Sequence, residues 1–188
     1  AARLRSHHYE ELELENDLKL QALFQISVLQ ALFSLARQRG TASKRFAETL
    51  NECLMAFDFY RSPKAEKLLQ QSRQSIQQFF NPFLSTHGFM LENYLVNQAF
   101  KNLFPSGSAT SLWEEWVHFL APFFAIRGVL IGLALRNHGI EPAQVVKLVQ
   151  SFTKTFEHNP AMLQGFKKEL FGERIPPYEE LSRVFGAA

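Results

Sequence analysis

Between Trp116 and Leu135 lie twenty residues in which only His118 and Arg127 are clearly polar. A run of that length can span a bilayer as a helix. Arg127 stands near its middle, however, where a charge inside lipid is costly. Pro122 introduces a kink, and the mean hydropathy of the whole chain is −0.13. The run is therefore expected to be the buried centre of a globular domain, with no membrane partner. Its helix extends from Ser111 to Asn137 and closes at Gly139. Gly128 and Gly132, four residues apart, leave room for another helix to approach closely. A charge in such a run needs a partner. Arg127 either snorkels or pairs with a neighbouring carboxylate such as Glu92, or it presents its fork of donors to the carboxylate of a small ligand.

The rest of the chain has to cover that helix. With 188 residues, 46% of them hydrophobic and 19 of them Phe, one domain with a sizeable core is expected. Gly and Pro number only 9 and 8, and β-branched runs are scarce, so the fold class is all-α. The net charge of +2 and the lack of a long basic block give no reason to expect a nucleic-acid partner. Cys53 is the only cysteine, which excludes an internal disulfide framework and a multi-cysteine metal site, so no metal is expected. A reducing cytoplasm fits that usage. The chain starts Ala1-Ala2-Arg3 with no signal-peptide pattern and reads as part of a longer protein.

Punctuation places the helices. Tyr9 to Arg39 carries an apolar stripe behind an acidic head and ends at Gly40. Thr41 to Tyr60 is capped by Thr41 or Ser43, and Cys53 falls on its apolar face as a small hydrophobe. Ser62-Pro63 opens a Gln-rich helix that reaches Phe80, where Asn81-Pro82 breaks it. After the central helix, Glu141-Pro142 opens one ending at Glu157-His158-Asn159-Pro160. A short helix continues to about Gly172, and Tyr178 to Phe185 adds a last turn or two. The expectation is a single all-helical domain of seven or eight helices with short links.

The stretch from Leu91 to Pro105 carries most of the candidate chemistry. As a helix, Leu91, Leu95, Val96, Ala99, Phe100 and Leu103 form an apolar arc, with Asn93, Tyr94, Asn97, Gln98 and Lys101 opposite. Glu92 intrudes on the apolar arc. It is either a first-turn acid facing the positive helix end or a carboxylate held in a pocket between helices. His158, in a last turn, suits the negative end of its own helix.

Glu92-Asn93-Tyr94-Leu95-Val96-Asn97, followed by Phe100-Lys101-Asn102-Leu103-Phe104-Pro105, resembles the signature of the flagellin lysine-N-methylase family, FliB. A second segment, Ser151-Phe152-Thr153-Lys154 with Glu157-His158-Asn159, resembles the family in the same order. The likeness covers the second half of the chain well and the first half through its helical character. It implies an S-adenosylmethionine-dependent enzyme that methylates lysine side chains of flagellin, of which this chain is the C-terminal helical portion. It also implies a cysteine cluster resembling an iron–sulfur site, expected only upstream because Cys53 stands alone here.

No Gly-x-Gly-x-x-Gly turn, phosphate loop or His-Glu-x-x-His is present, so methyl transfer would use a helical pocket rather than a Rossmann sheet. A neutral amine must attack the sulfonium methyl. A lysine amine, with its pKa near ~10.4, must first be stripped of a proton or desolvated. Tyr94 and Glu92 are the catalytic candidates. Asn93, Asn97, Arg127, Glu157 and His158 are the candidates for holding substrate or cofactor, and Glu157 and His158 also count as proton acceptors. Aromatic faces can hold the cationic cofactor or a methylated ammonium. The competing reading is an all-helical ligand-binding or dimerisation module of a bacterial regulator.

Overall fold

The computed structural model describes residues 2–41, 43–61, 63–106, 111–172 and 175–184, with side chains from residue 16 onward except those of 180, 183 and 184. Ser62, expected as a cap, Phe185, expected to end the last helical turn, and the acidic residues of the head before position 16 lie outside the described side chains.

The helices are α1 (Ala2–Arg39), α2 (Lys44–Ala56), α3 (Ala65–Ser75), α4 (Asn81–His87), α5 (Phe89–Lys101), α6 (Leu112–Asn137), α7 (Pro142–Phe152), α8 (Pro160–Phe171) and α9 (Tyr178–Val184). Among the described residues there is no strand. A π-turn, Ile76–Phe80, joins α3 to α4, and another, Thr153–Glu157, extends α7. Asn81-Pro82 was expected to break the chain and does not. Ile76, Phe80, Asn81 and Gly88 all keep right-handed helical backbone, so α3 through α5 form one continuous run. The π-turn sits just before Pro82, where the missing N–H of a proline has to be accommodated. Counted this way, the described residues form seven runs.

Local caps follow the sequence closely. Ser43 Oγ accepts from the Phe46 N–H at 3.3 Å and Ser111 Oγ from the Glu114 N–H at 3.1 Å. Glu141 and Gln144 form a reciprocal capping box ahead of α7. The second helix ends at Ala56, earlier than expected, and a 3₁₀ turn at Phe59–Arg61 follows Asp58, whose φ is +53°.

The centre of the fold is α6, which packs against α1, α2, α3, α5, α7 and α8. It and residues 16–39 of α1 are each long and apolar enough to cross a membrane, yet 83% of the most apolar window of α6 is buried by the other helices. Both glycines of α6 act as contact points. A Cβ on Gly128 would meet Val28 Cγ1 of α1 at 2.5 Å, and one on Gly132 would meet Cys53 Sγ of α2 at 1.9 Å. Gln25 of α1 donates to the Gly128 carbonyl at 2.7 Å. Phenylalanines fill the space around this axis: Phe46, Phe57, Phe80, Phe124, Phe152, Phe156 and Phe166 are fully buried. Phe152 and Phe156 stack at 4.5 Å, and Phe46 meets Phe156 edge-on at 5.4 Å.

Arg127 is buried at 8% exposure, with its guanidinium over the Phe80 ring at 5.4 Å. Among the described residues no ion pair joins it to a carboxylate, and Glu92 is exposed on the far side of α5. Burial lowers the Arg127 pKa to about 10. The aromatic face is therefore what the charge rests on.

Candidate functional site

On α5 only part of the expected apolar arc is buried: Leu91 is, and Leu95 packs against the core. Leu91, Tyr94 and Gln98 face inward, while Val96, Phe100 and Leu103 are 51%, 78% and 73% exposed. The cause lies 59 and 63 residues further along, in the π-turn that ends at Glu157. Its carboxylate draws the polar arc of α5 inward. Tyr94 Oη donates to Glu157 Oε1 at 3.1 Å, Gln98 Nε2 to the same oxygen at 2.7 Å, and Thr153 Oγ1 to it at 3.2 Å. Lys101 Nζ pairs with Oε2 at 2.6 Å. Asn102 Nδ2 in turn donates to Gln98 Oε1 at 3.2 Å, which orients the amide. A buried carboxylate left unpaired is far costlier than a misplaced Val or Phe at the surface, so the hydrogen bonds decide which face turns in.

Charge is well defined in this network. Desolvation pushes the Glu157 carboxyl up. The hydrogen bonds from Lys101, Gln98 and Tyr94, together with the Lys101 charge, outweigh it and hold the group below the ordinary carboxylate range. Burial first, then the Glu157 charge, push the Tyr94 phenol up. Tyr94 therefore stays protonated, as a donor rather than a base.

Glu157, Gln98 and Lys101 line one wall of a cleft of about 480 Å³ between α5, α6 and α8. Phe104 and Phe119 stack at 4.8 Å along it. Glu114, Glu115 and His118 of α6 and Lys167 of α8 complete the charged lining. A hollow of about 260 Å³ continues the cleft past His118 and Lys167. Desolvation, then the Lys167 charge, lower the His118 pKa against the opposing pull of Glu114 and Glu115. Desolvation also lowers the Lys167 pKa, opposed by Glu115. A neutral imidazole and an ammonium with weakened hold on its proton thus share one wall.

The remaining sequence candidates are dispersed. Asn93 and Asn97 line a separate groove of about 210 Å³ with Tyr94 and with Val145, Val146 and Val149 of α7. Glu92 is an exposed first-turn residue and lines neither cavity. His158 caps the second π-turn through its backbone and is exposed. Arg127 is one turn beyond the cleft residues of α6, in the core. Cys53 is fully buried against Gly132, and burial pushes its thiol up, which fits packing rather than reactivity. Among the described residues no three of His, Cys, Asp and Glu group as metal ligands.

Sequence reasoning missed Gln98, Lys101, His118, Glu114, Glu115 and Lys167 as lining of one cavity. His118 left a trace, as one of two polar residues in the apolar run. The pairing of α5 with Glu157 had none, because it depends on contacts distant in the chain.

The two segments that carry the resemblance noted in the sequence, 92–105 and 151–159, thus meet at Glu157. A family model described as the FliB lysine N-methylase C-terminal domain matches residues 3–176. No curated protein and no solved structure matches the chain.

Proposed function

The chain belongs to the FliB lysine N-methylase C-terminal domain family, and we propose that it docks the lysine-bearing substrate, flagellin, and forms part of the cofactor pocket of an S-adenosylmethionine-dependent methylase in the cytoplasm. Membership favours this over the regulator module. The observation that carries the proposal is the meeting of α5 with the second π-turn: the segments with the family's character build one cleft around Glu157.

The donor set of that cleft fits a zwitterionic, cationic cofactor. Glu114 and Glu115 suit an ammonium or sulfonium, Lys167 suits a carboxylate, and the Phe104–Phe119 stack suits a planar base. When bound, S-adenosylmethionine supplies the methyl group. Tyr94 and Gln98 hold the Glu157 carboxylate charged and aimed. Glu157 attracts the substrate ammonium. His118, kept neutral by burial, accepts the proton that the amine must lose before it can react. Of the catalytic candidates, Tyr94 serves as a fixed donor. Glu92, with Asn93 and Asn97 beside it on the outer side of α5, contributes to docking the protein around the target lysine. Arg127, held in the core over Phe80, and the exposed His158 have no part in the cleft. The near-neutral net charge favours docking by shape and local polar groups over long-range steering.

The test is methyl transfer from S-adenosylmethionine to flagellin, comparing this chain with a form extended upstream through a cysteine cluster. Turnover by the extended form, abolished when residues 91–172 are deleted, supports the proposal. Equal turnover by the extended form without this domain contradicts it.

A further inference from the structure

Glu157 divides its two oxygens unequally. Oε1 takes three donors that belong to the fold, from Tyr94, Gln98 and Thr153. Oε2 takes, among the described residues, only Lys101. The carboxylate side chain is 6% exposed, whereas the Lys101 side chain is 51% exposed. A carboxylate this deep requires a cation, and leaving it unpaired is strongly unfavourable. The cation that meets the requirement stands half in solvent, on a flexible four-carbon stem at the last turn of α5. Both residues line the 480 Å³ cleft, a space large enough for another side chain to approach the pair.

We infer that Glu157 Oε2 is a receptor for the primary ammonium of an incoming lysine side chain, and that the chain's own Lys101 occupies it as an internal stand-in. This rests on the lysine-methylase reading for the identity of the ligand. Exchange of one ammonium for another conserves the ion pair, so Lys101 can yield without leaving Glu157 unpaired. Lys101 thereby competes with substrate at the high effective concentration of a tethered group and excludes weaker cations.

The experiment measures binding of Nα-acetyl-lysine methylamide to this chain by calorimetry, with Nα-acetyl-norleucine methylamide as the uncharged control. Lys101→Met removes the competitor and is expected to tighten lysine-amide binding by about tenfold, without binding the control. Lys101→Gln, which keeps a polar surface residue, is expected to do the same, and circular dichroism checks that both are folded. Adding Glu157→Gln to either is expected to abolish the gain. Unchanged binding in both Lys101 variants, or equal binding of the norleucine amide, overturns the inference. Methyl transfer measured on an upstream-extended form separates the two ideas. A binding gain without any transfer keeps the receptor and removes the methylase reading. Transfer to flagellin with KM unchanged by Lys101→Met and Glu157→Gln keeps the methylase and removes the receptor.

Discussion

Tyr94 on α5 and Glu157 at the end of the second π-turn, 63 residues apart, share a hydrogen bond of 3.1 Å. That bond and its neighbours from Gln98 and Lys101 set the rotation of α5, with Leu91, Tyr94 and Gln98 inside and Val96 and Phe100 outside. Two substitutions test the rotation by urea unfolding. Tyr94→Phe removes a donor to a buried carboxylate and should cost about 1.5 kcal/mol or more. Phe100→Ser, at a ring 78% exposed, should change stability by no more than about 0.5 kcal/mol. The reverse order would show that the apolar arc faces inward.

The same network predicts an acid limb in the stability profile. The folded pKa of Glu157 is depressed, mainly by its hydrogen bonds, against an unfolded value near ~4.3. Its contribution is therefore fully present above about pH 4.3 and is lost as pH falls through the lower folded value. Glu157→Gln should flatten that part of the curve and lower the stability at neutral pH. An unchanged acid limb would mean that Glu157 is not paired in the folded protein.

The contact of Gly132 with Cys53 fixes how closely α2 approaches α6. Gly132→Ala would bring its Cβ within 1.9 Å of Cys53 Sγ and 2.9 Å of Cys53 Cβ. The expected loss is about 1–3 kcal/mol or more, as for overpacking of a dense core. Combining it with Cys53→Ala should recover part of that loss, because the sulfur is the nearest obstacle and the Cβ remains. Strict additivity of the two changes would show that the residues do not touch.

What could be read from the sequence, and what could not, divides by range. The apolar run of α6, the four-residue spacing of Gly128 and Gly132 and the caps at Ser43, Ser111 and Glu141 depend on residues a few positions apart, and their pattern is visible in one dimension; the partners of the glycines, Val28 and Cys53, are not. The passage of the chain through Pro82 was hidden, because a π-turn lets helical backbone continue past a residue that ordinarily ends it. The facing of α5 was hidden for a different reason. Hydrophobic periodicity assumes that polar residues turn outward, and here a buried carboxylate on another helix reverses the preference. Arg127 carried a correct signal, a charge in an apolar run, but its counterpart is the Phe80 ring rather than Glu92.

That Glu157 docks the substrate amine is our proposal. It is tested most directly by steady-state methyl transfer to flagellin by the upstream-extended protein carrying Glu157→Gln, with KM and kcat resolved. The expected result is a rise in KM of about tenfold or more, since a charge-assisted bond of about 1.5–3 kcal/mol is lost, while binding of S-adenosylmethionine measured separately is little changed. A KM for flagellin equal to that of the unaltered protein, with the variant folded, would contradict it.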